Sequence, residues 1–338
     1  METVSFGRTG LKVSRLCFGT MTIGSTAWKP WVLDKADAEP LLKRCLDLGI
    51  TFFDTANWYS TGESERVVAA TLISMVPRDQ LVLATKAYYP MSDDPNDRGL
   101  SRKHLLSSVD ASLRRMGTDY IDLFIIHAFD PGTPIEETME ALHDIVRSGK
   151  VRYLGASTMF AWQFEQMNHV ARHNGWTSFV NMQCQYNLLY REEEREMFPY
   201  CRDQDIAVTA FSPLARGWLS GSKKVRSQTD ASFALFHGDA LDLEIIARVE
   251  AIARTHDATM AEVALAWAYS KDAICCPIIG ASSVSQLENN VGAMNLELKE
   301  DEIASLDQLY RPRDVINDHV PNPMSRYLHE NEQGKLDG

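Results

Sequence analysis

A chain of 338 residues, 45% hydrophobic and 24% charged, can bury a large core and is neither disordered nor collagenous in composition. Its 34 Lys and Arg against 46 Asp and Glu leave a net charge of -12, which argues against nucleic acid or an anionic membrane as partner and makes any basic site local. Apolar stretches such as Leu123–Ile126 fall far short of the roughly 20 residues of a membrane span, Met1–Gly10 has no basic-then-apolar leader, and the expected location is cytoplasmic.

In chain order, short apolar runs alternate with longer segments of helical period. Strands are expected at Leu16–Phe18, Thr51–Phe53, Leu81–Thr85, Ile121–Ile126, Tyr153–Ala156, Phe179–Met182, Ala207–Ala210 and Ile274–Ile278. After the first, Ala38, Leu41, Leu42, Cys45 and Leu46 share one helical face. Thr133-Pro134-Ile135-Glu136 reads as a capping box with proline at the first helical position, and Gly149 ends that helix. Thr259 with Glu262, and Ser285 with Glu288, read as further boxes.

Eight strands, most followed by a helix, predict an α/β chain folded as a closed (β/α)8 TIM barrel rather than an open sheet. Gly19–Gly24 lacks the G-x-G-x-x-G spacing that an open dinucleotide-binding sheet advertises. Residues 1–310 are expected to form one domain, with an insertion at Pro213–Ala240 after the seventh strand and a tail over residues 311–338. The six cysteines follow neither disulfide nor zinc spacing and read as reduced, mostly buried thiols.

Barrel enzymes place their reactive groups where the strands end, so the residue after each apolar run is informative. Asp54, Lys86, His127, Ser157, Gln183 and Ser212 occupy those places. An acid, an ammonium and an imidazole at neighbouring strand ends share one pocket, with Asp54 and Lys86 as an ion pair and Tyr59 five residues beyond Asp54. A phenol beside a buried cation becomes a usable proton donor, so the set describes a proton-transfer site.

At these residues the chain resembles the aldo-keto reductases, NAD(P)H-dependent enzymes on this barrel. The resemblance runs through Asp54-Thr55-Ala56-Asn57-Trp58-Tyr59, Gly62-Glu63-Ser64-Glu65, Lys86 and Ile125-Ile126-His127. It continues through Gly155-Ala156-Ser157, Gln183-Cys184-Gln185-Tyr186-Asn187, Phe211-Ser212-Pro213-Leu214-Ala215-Arg216-Gly217 and Gly280-Ala281-Ser282 with Gln286 and Asn290, about residues 4–310. It implies Tyr59 as general acid, Lys86 as its cationic partner, Asp54 as counter-ion and His127 as the group that orients a small-molecule carbonyl. It implies NADPH as cofactor, with Thr20, Met21 and Asp54 among the residues that bind it, Ser157 and Gln183 on the nicotinamide amide and Phe211 on the nicotinamide ring. Thr158 replaces an asparagine common in similar sequences.

Gly280-Ala281-Ser282 opens onto a helix start, and Arg216, Lys223, Lys224 and Arg226 form a basic stretch without an intervening acid; both read as anion sites. The resemblance runs the loop from Arg216 to Arg226 across the pyrophosphate and counts Ser212, Pro213, Leu214 and Gly217 among the cofactor-binding residues. It places Ser282, Gln286, Asn289 and Asn290 around the adenosine 2′-phosphate and adenine, with Asn289 where relatives often carry glutamate. Trp28, Trp31, Trp58, Tyr88, Tyr89, Phe129 and Trp218 are candidates to wall a substrate cleft that the tail could cover. The alternatives are a regulatory partner similar to potassium-channel β subunits, and a metal-dependent hydrolase, which the missing second strand-end histidine disfavours; no metal is expected.

Overall fold

The computed structural model describes residues 1–221 and 240–315. The chain starts with an unanticipated antiparallel hairpin, β1 (Thr3–Ser5) against β2 (Lys12–Ser14), whose three-residue strands are too short to show a period. Phe6, wholly buried, meets Phe52 edge-on at 5.8 Å and plugs the barrel where the strands begin.

Eight parallel strands then close a barrel: β3 (Cys17–Gly19), β4 (Phe52–Asp54), β5 (Val82–Ala87), β6 (Ile121–Ile126), β7 (Val151–Ser157), β8 (Asn181–Gln185), β9 (Ala207–Phe211) and β10 (Cys276–Ile279). Each pairs with the next, and β10 returns to β3. The expected strands are all present, but every one except β6 ends later than its apolar run. Asp54, Lys86 and Ser157 still pair in the ladder, opposite Ala84, Ile125 and Gln183, because backbone pairing is indifferent to a polar side chain that faces an open barrel mouth.

Around the strands lie α1 (Lys35–Asp47), α2 (Glu63–Met75), α3 (Arg102–Met116), α4 (Ile135–Arg147), α5 (Ala161–Asn174), α6 (Met197–Asp203), α7 (Ala240–Thr255), α8 (Met260–Tyr269), α9 (Val284–Gly292) and α10 (Glu300–Asp307). The α1 face carrying Ala38, Leu41, Leu42 and Cys45 is buried as its period requires. The Thr259–Glu262 box caps α8 as expected. Two caps differ. Thr133 gives its hydroxyl to Asp130 at 2.7 Å and leaves Pro134 to start α4 without a side-chain cap, while Ser283 rather than Ser285 caps α9 by accepting from the Gln286 N–H.

Strand alternation divides the core into two layers. Phe52, Val82, Ala84, Leu123 and Ile125 fill the barrel, whereas Phe53, Leu83, Phe124 and Ile126 pack outward on the helices. All six cysteines are free and only Cys275 is not fully buried. Most of the insertion after β9 (residues 222–239) and the tail beyond residue 315 lie outside the described residues. Among the described residues no helix is long and apolar enough to cross a membrane.

Candidate active site

The alternation that puts Phe52, Val82, Ala84, Leu123 and Ile125 inside the barrel also turns Asp54, Lys86 and His127 inward at its mouth. Lys86 is wholly buried. Its Nζ donates to Asp54 Oδ2 at 2.5 Å and to the Thr55 carbonyl at 2.8 Å, and Asp54 Oδ1 accepts from Gln183 Nε2 at 2.9 Å. Burial disfavours the ammonium, but attraction to Asp54 and Tyr59 outweighs it, so the Lys86 pKa stands above its ordinary value and the group stays cationic.

Tyr59 reaches this cation from the loop after β4. Ser60, Thr61 and Gly62 adopt φ of 49°, 52° and 88°, a left-handed run that turns the chain abruptly into α2. The Tyr59 ring centre lies 5.0 Å from Lys86 Nζ, and its edge meets His127 at 5.9 Å between centroids. Ser64 and Glu65 brace the turn from below. Ser64 Oγ donates to the Thr20 carbonyl at 3.0 Å, while buried Glu65 accepts from Thr85 at 2.6 Å and from Arg115 at 2.5 Å.

These groups open on a cleft of about 790 Å³, within the range of small-molecule sites. Its wall contains Thr20, Met21, Asp54, Ser157, Gln183, Phe211, Ser212, Pro213, Leu214, Arg216, Gly217, Gly280, Ser282, Gln286, Asn289 and Asn290, each singled out in the sequence for a cofactor. Arg226, with Lys223 and Lys224, lies outside the described residues. Ser212, Ala215, Arg216 and Gly217 adopt φ of 53°, 48°, 56° and 101°, so the chain curls sharply as it leaves β9.

Several of these polar groups already serve the protein. The Thr20 hydroxyl donates to the Asp54 carbonyl at 3.0 Å, the Ser282 N–H and hydroxyl both donate to Gln286 Oε1 at 2.9 Å, and Asn290 Nδ2 donates to the Gly280 carbonyl at 3.2 Å. The Thr20 bond ties the end of β3 to that of β4, and the others shape the turn from β10 into α9. The wall nonetheless suits an elongated polar ligand with a flat ring: Phe211 is partly exposed on it, and Gln185 Nε2 is buried there without a hydrogen-bond partner among the described residues.

The substrate-side aromatics divide. Trp58 lines the cleft, as do Trp31 and Tyr89, the latter edge-on to His127 at 4.8 Å. Trp28, Tyr88, Phe129 and Trp218 are not on the wall. Trp28 supports Trp58 at 5.2 Å, Tyr88 supports Tyr89 at 5.2 Å, and Phe129 leans on Trp162 at 6.4 Å. Which of two nearby rings faces the cleft is set by the local course of the loop, as for Tyr88 and Tyr89, and spacing alone does not say which does.

The site also contains an acidic turn that the sequence pattern does not mark. Glu192, Glu193 and Glu196, with Arg195, also line the cleft, and the Glu193 carboxyl is pushed up to about 8, first by burial and then by Glu192. The run Glu192–Glu194 was visible in the sequence, but such a run ordinarily marks a solvated face. Val315, at the end of the described residues, lies on the same wall.

The Aldo/keto reductase family profile matches residues 15–311. An aldo-keto reductase of Fusarium vanettenii is 43% identical over 91% of both chains. The versiconal hemiacetal acetate reductase of Aspergillus parasiticus is 40% identical over 93% of this chain and 98% of its own. With the closed barrel and the inward Asp54, Lys86 and His127 already in place, these likenesses establish that the chain belongs to the aldo/keto reductase family of oxidoreductases.

Proposed function

We propose that this oxidoreductase uses NADPH to reduce aldehyde or ketone carbonyls to alcohols, reversibly, with Tyr59 as proton donor. The observation that carries the reading is the buried chain from Gln183 through Asp54 to Lys86, which ends 5.0 Å from the Tyr59 ring on the cleft wall. The attraction between Lys86 and Tyr59 is mutual: the cation favours the phenolate as the phenolate favours the cation, so Lys86 eases transfer of the phenol proton to a carbonyl oxygen. Asp54 keeps the ammonium charged and in place. His127, edge-on to Tyr59, orients the carbonyl oxygen toward the phenol.

When bound, the reduced nicotinamide supplies the hydride. Ser157 and Gln183 would hold its amide. Gln183 spends Nε2 on Asp54 and keeps Oε1 to accept. Phe211 would face the ring, and the turns at Ser212–Gly217 and Gly280–Asn290 would take the phosphates and adenosine. The reading treats residues 1–310 as the catalytic barrel and 311–338 as a tail at the cleft. It carries a cytoplasmic location, supported by six unpaired thiols.

Oxidation of NADPH by para-nitrobenzaldehyde tests the reading. Turnover by the wild type and its loss in Tyr59→Phe are expected; no oxidation with any of a panel of aldehydes and ketones overturns it.

A further inference from the structure

The loop after β3 carries Trp28-Lys29-Pro30-Trp31, a cation set among indoles in a chain of net charge -12. Its base is pinned, for the Leu33 N–H donates to the Thr22 carbonyl at 2.8 Å and the Gly24 N–H to the Leu33 carbonyl at 2.9 Å. Near its tip the Val32 N–H donates to the Lys29 carbonyl at 3.1 Å. Gly24 presses so closely on Ser60 that a Cβ would collide with the Ser60 hydroxyl, which keys this loop to the turn carrying Tyr59.

Lys29 is half-buried on the cleft wall, its Nζ 5.3 Å from the Trp28 ring centre and 5.8 Å from that of Trp31. Among the described residues no carboxylate pairs with it. Arg195, by contrast, is bridged to Glu192 at 2.7 Å, and Arg216 belongs to the turn after β9. From Trp28 a row of rings continues through Trp58 and Tyr89 to His127, with centroids 5.2, 5.1 and 4.8 Å apart. Of these rings Trp58, Tyr89 and His127 line the cleft with Lys29 and offer an aromatic substrate faces and edges to pack on, while Trp28 backs Trp58 from behind. A partly desolvated ammonium whose partners are two indole faces gains more from an anion than a solvated lysine does.

We propose that Lys29 selects aromatic carbonyl substrates that bear a carboxylate or similar anion at the end of the ring opposite the carbonyl. The proposal rests on the reductase reading, with the carbonyl at Tyr59 and His127 and the anion at Lys29. Two aldehydes of matched shape, para-carboxybenzaldehyde and neutral para-nitrobenzaldehyde, isolate the charge, and Lys29→Met keeps the stem while removing the ammonium. In Lys29→Met, kcat/KM is expected to fall about tenfold for the carboxylate and to stay within about twofold for the nitro compound, with Lys29→Arg retaining the wild-type ratio. A ratio unchanged by Lys29→Met overturns the proposal. If neither aldehyde is reduced, the reductase reading is judged by the wider panel of aldehydes and ketones, and Lys29 is judged by binding. Quenching of indole fluorescence by para-carboxybenzaldehyde in the presence of NADP+ is then expected to need about tenfold more ligand in Lys29→Met, and equal dissociation constants overturn the assignment.

Discussion

Each site side chain has a chemical task that a single substitution isolates. Tyr59→Phe removes one oxygen from a ring packed at Lys86 and His127, so turnover is expected to fall by about 10²- to 10⁴-fold with the NADPH dissociation constant unchanged; more than a tenth of wild-type turnover in a chemistry-limited assay excludes Tyr59 as the acid. Lys86→Met should nearly silence the enzyme and move the pH profile of any remaining turnover upward, because the phenolate loses its cation. Asp54→Asn keeps Lys86 bonded to the Thr55 carbonyl and should cost less turnover, yet it leaves a buried ammonium without its counter-ion at about 3 to 5 kcal/mol, read as a lower urea midpoint. Additive activity losses in the double variant would deny that the two act as a unit. Glu193 gives a pH test. Its carboxyl is raised to about 8 in the fold, so the folded state holds a proton that the unfolded chain releases near pH 4, and stability drains away as pH rises between those values. Glu193→Gln should therefore raise Tm at pH 9 and change it little at pH 4.

At the level of elements, helix starts are where the sequence misleads and a measurement discriminates. Ser283 accepts the Gln286 N–H at the head of α9, whereas Ser285 lies inside the helix. Ser283→Ala is expected to cost about 1 kcal/mol by urea denaturation and Ser285→Ala nearly nothing; equal costs would contradict the cap. At the other end of the chain, α10 is moored by Asp307, whose carboxylate accepts from Arg191 at 2.8 Å, Trp267 at 2.9 Å and Lys271 at 2.7 Å. Glu192 continues the mooring, with Oε1 accepting from the Tyr310 hydroxyl at 2.6 Å and the Arg313 N–H at 2.8 Å. The acidic turn on the cleft wall is thus a structural joint as well as a surface.

The whole molecule is acidic, so discrimination between cofactors that differ by one phosphate depends on local cations and helix starts rather than the overall field. Arg216 and the β10–α9 turn stand on the cleft wall and supply such groups. NADPH is expected to bind at least about tenfold more tightly than NADH and to raise Tm further at equal concentration. Equal dissociation constants in a fluorescence titration would remove the preference. Ser282→Ala combined with Arg226→Ala should narrow the gap by weakening NADPH alone; an equal loss for NADH would move both residues to the shared pyrophosphate.

The barrel and its polar mouth were legible because both are periodic properties of a strand. Eight apolar runs separated by helical segments admit few closed arrangements, and a polar residue two places beyond an inward apolar one, as Asp54 follows Phe52 and His127 follows Ile125, must face the same interior. Tertiary structure alone decided what depends on partners far apart in sequence: that Trp31 and Tyr89 reach the cleft while Trp28 and Tyr88 stand behind them, that Ser282 spends its donors on Gln286, and that Glu192 meets Arg313 and so turns a charged run inward. Those outcomes are set by competition for space and for hydrogen-bond partners in the assembled barrel, which local sequence does not encode.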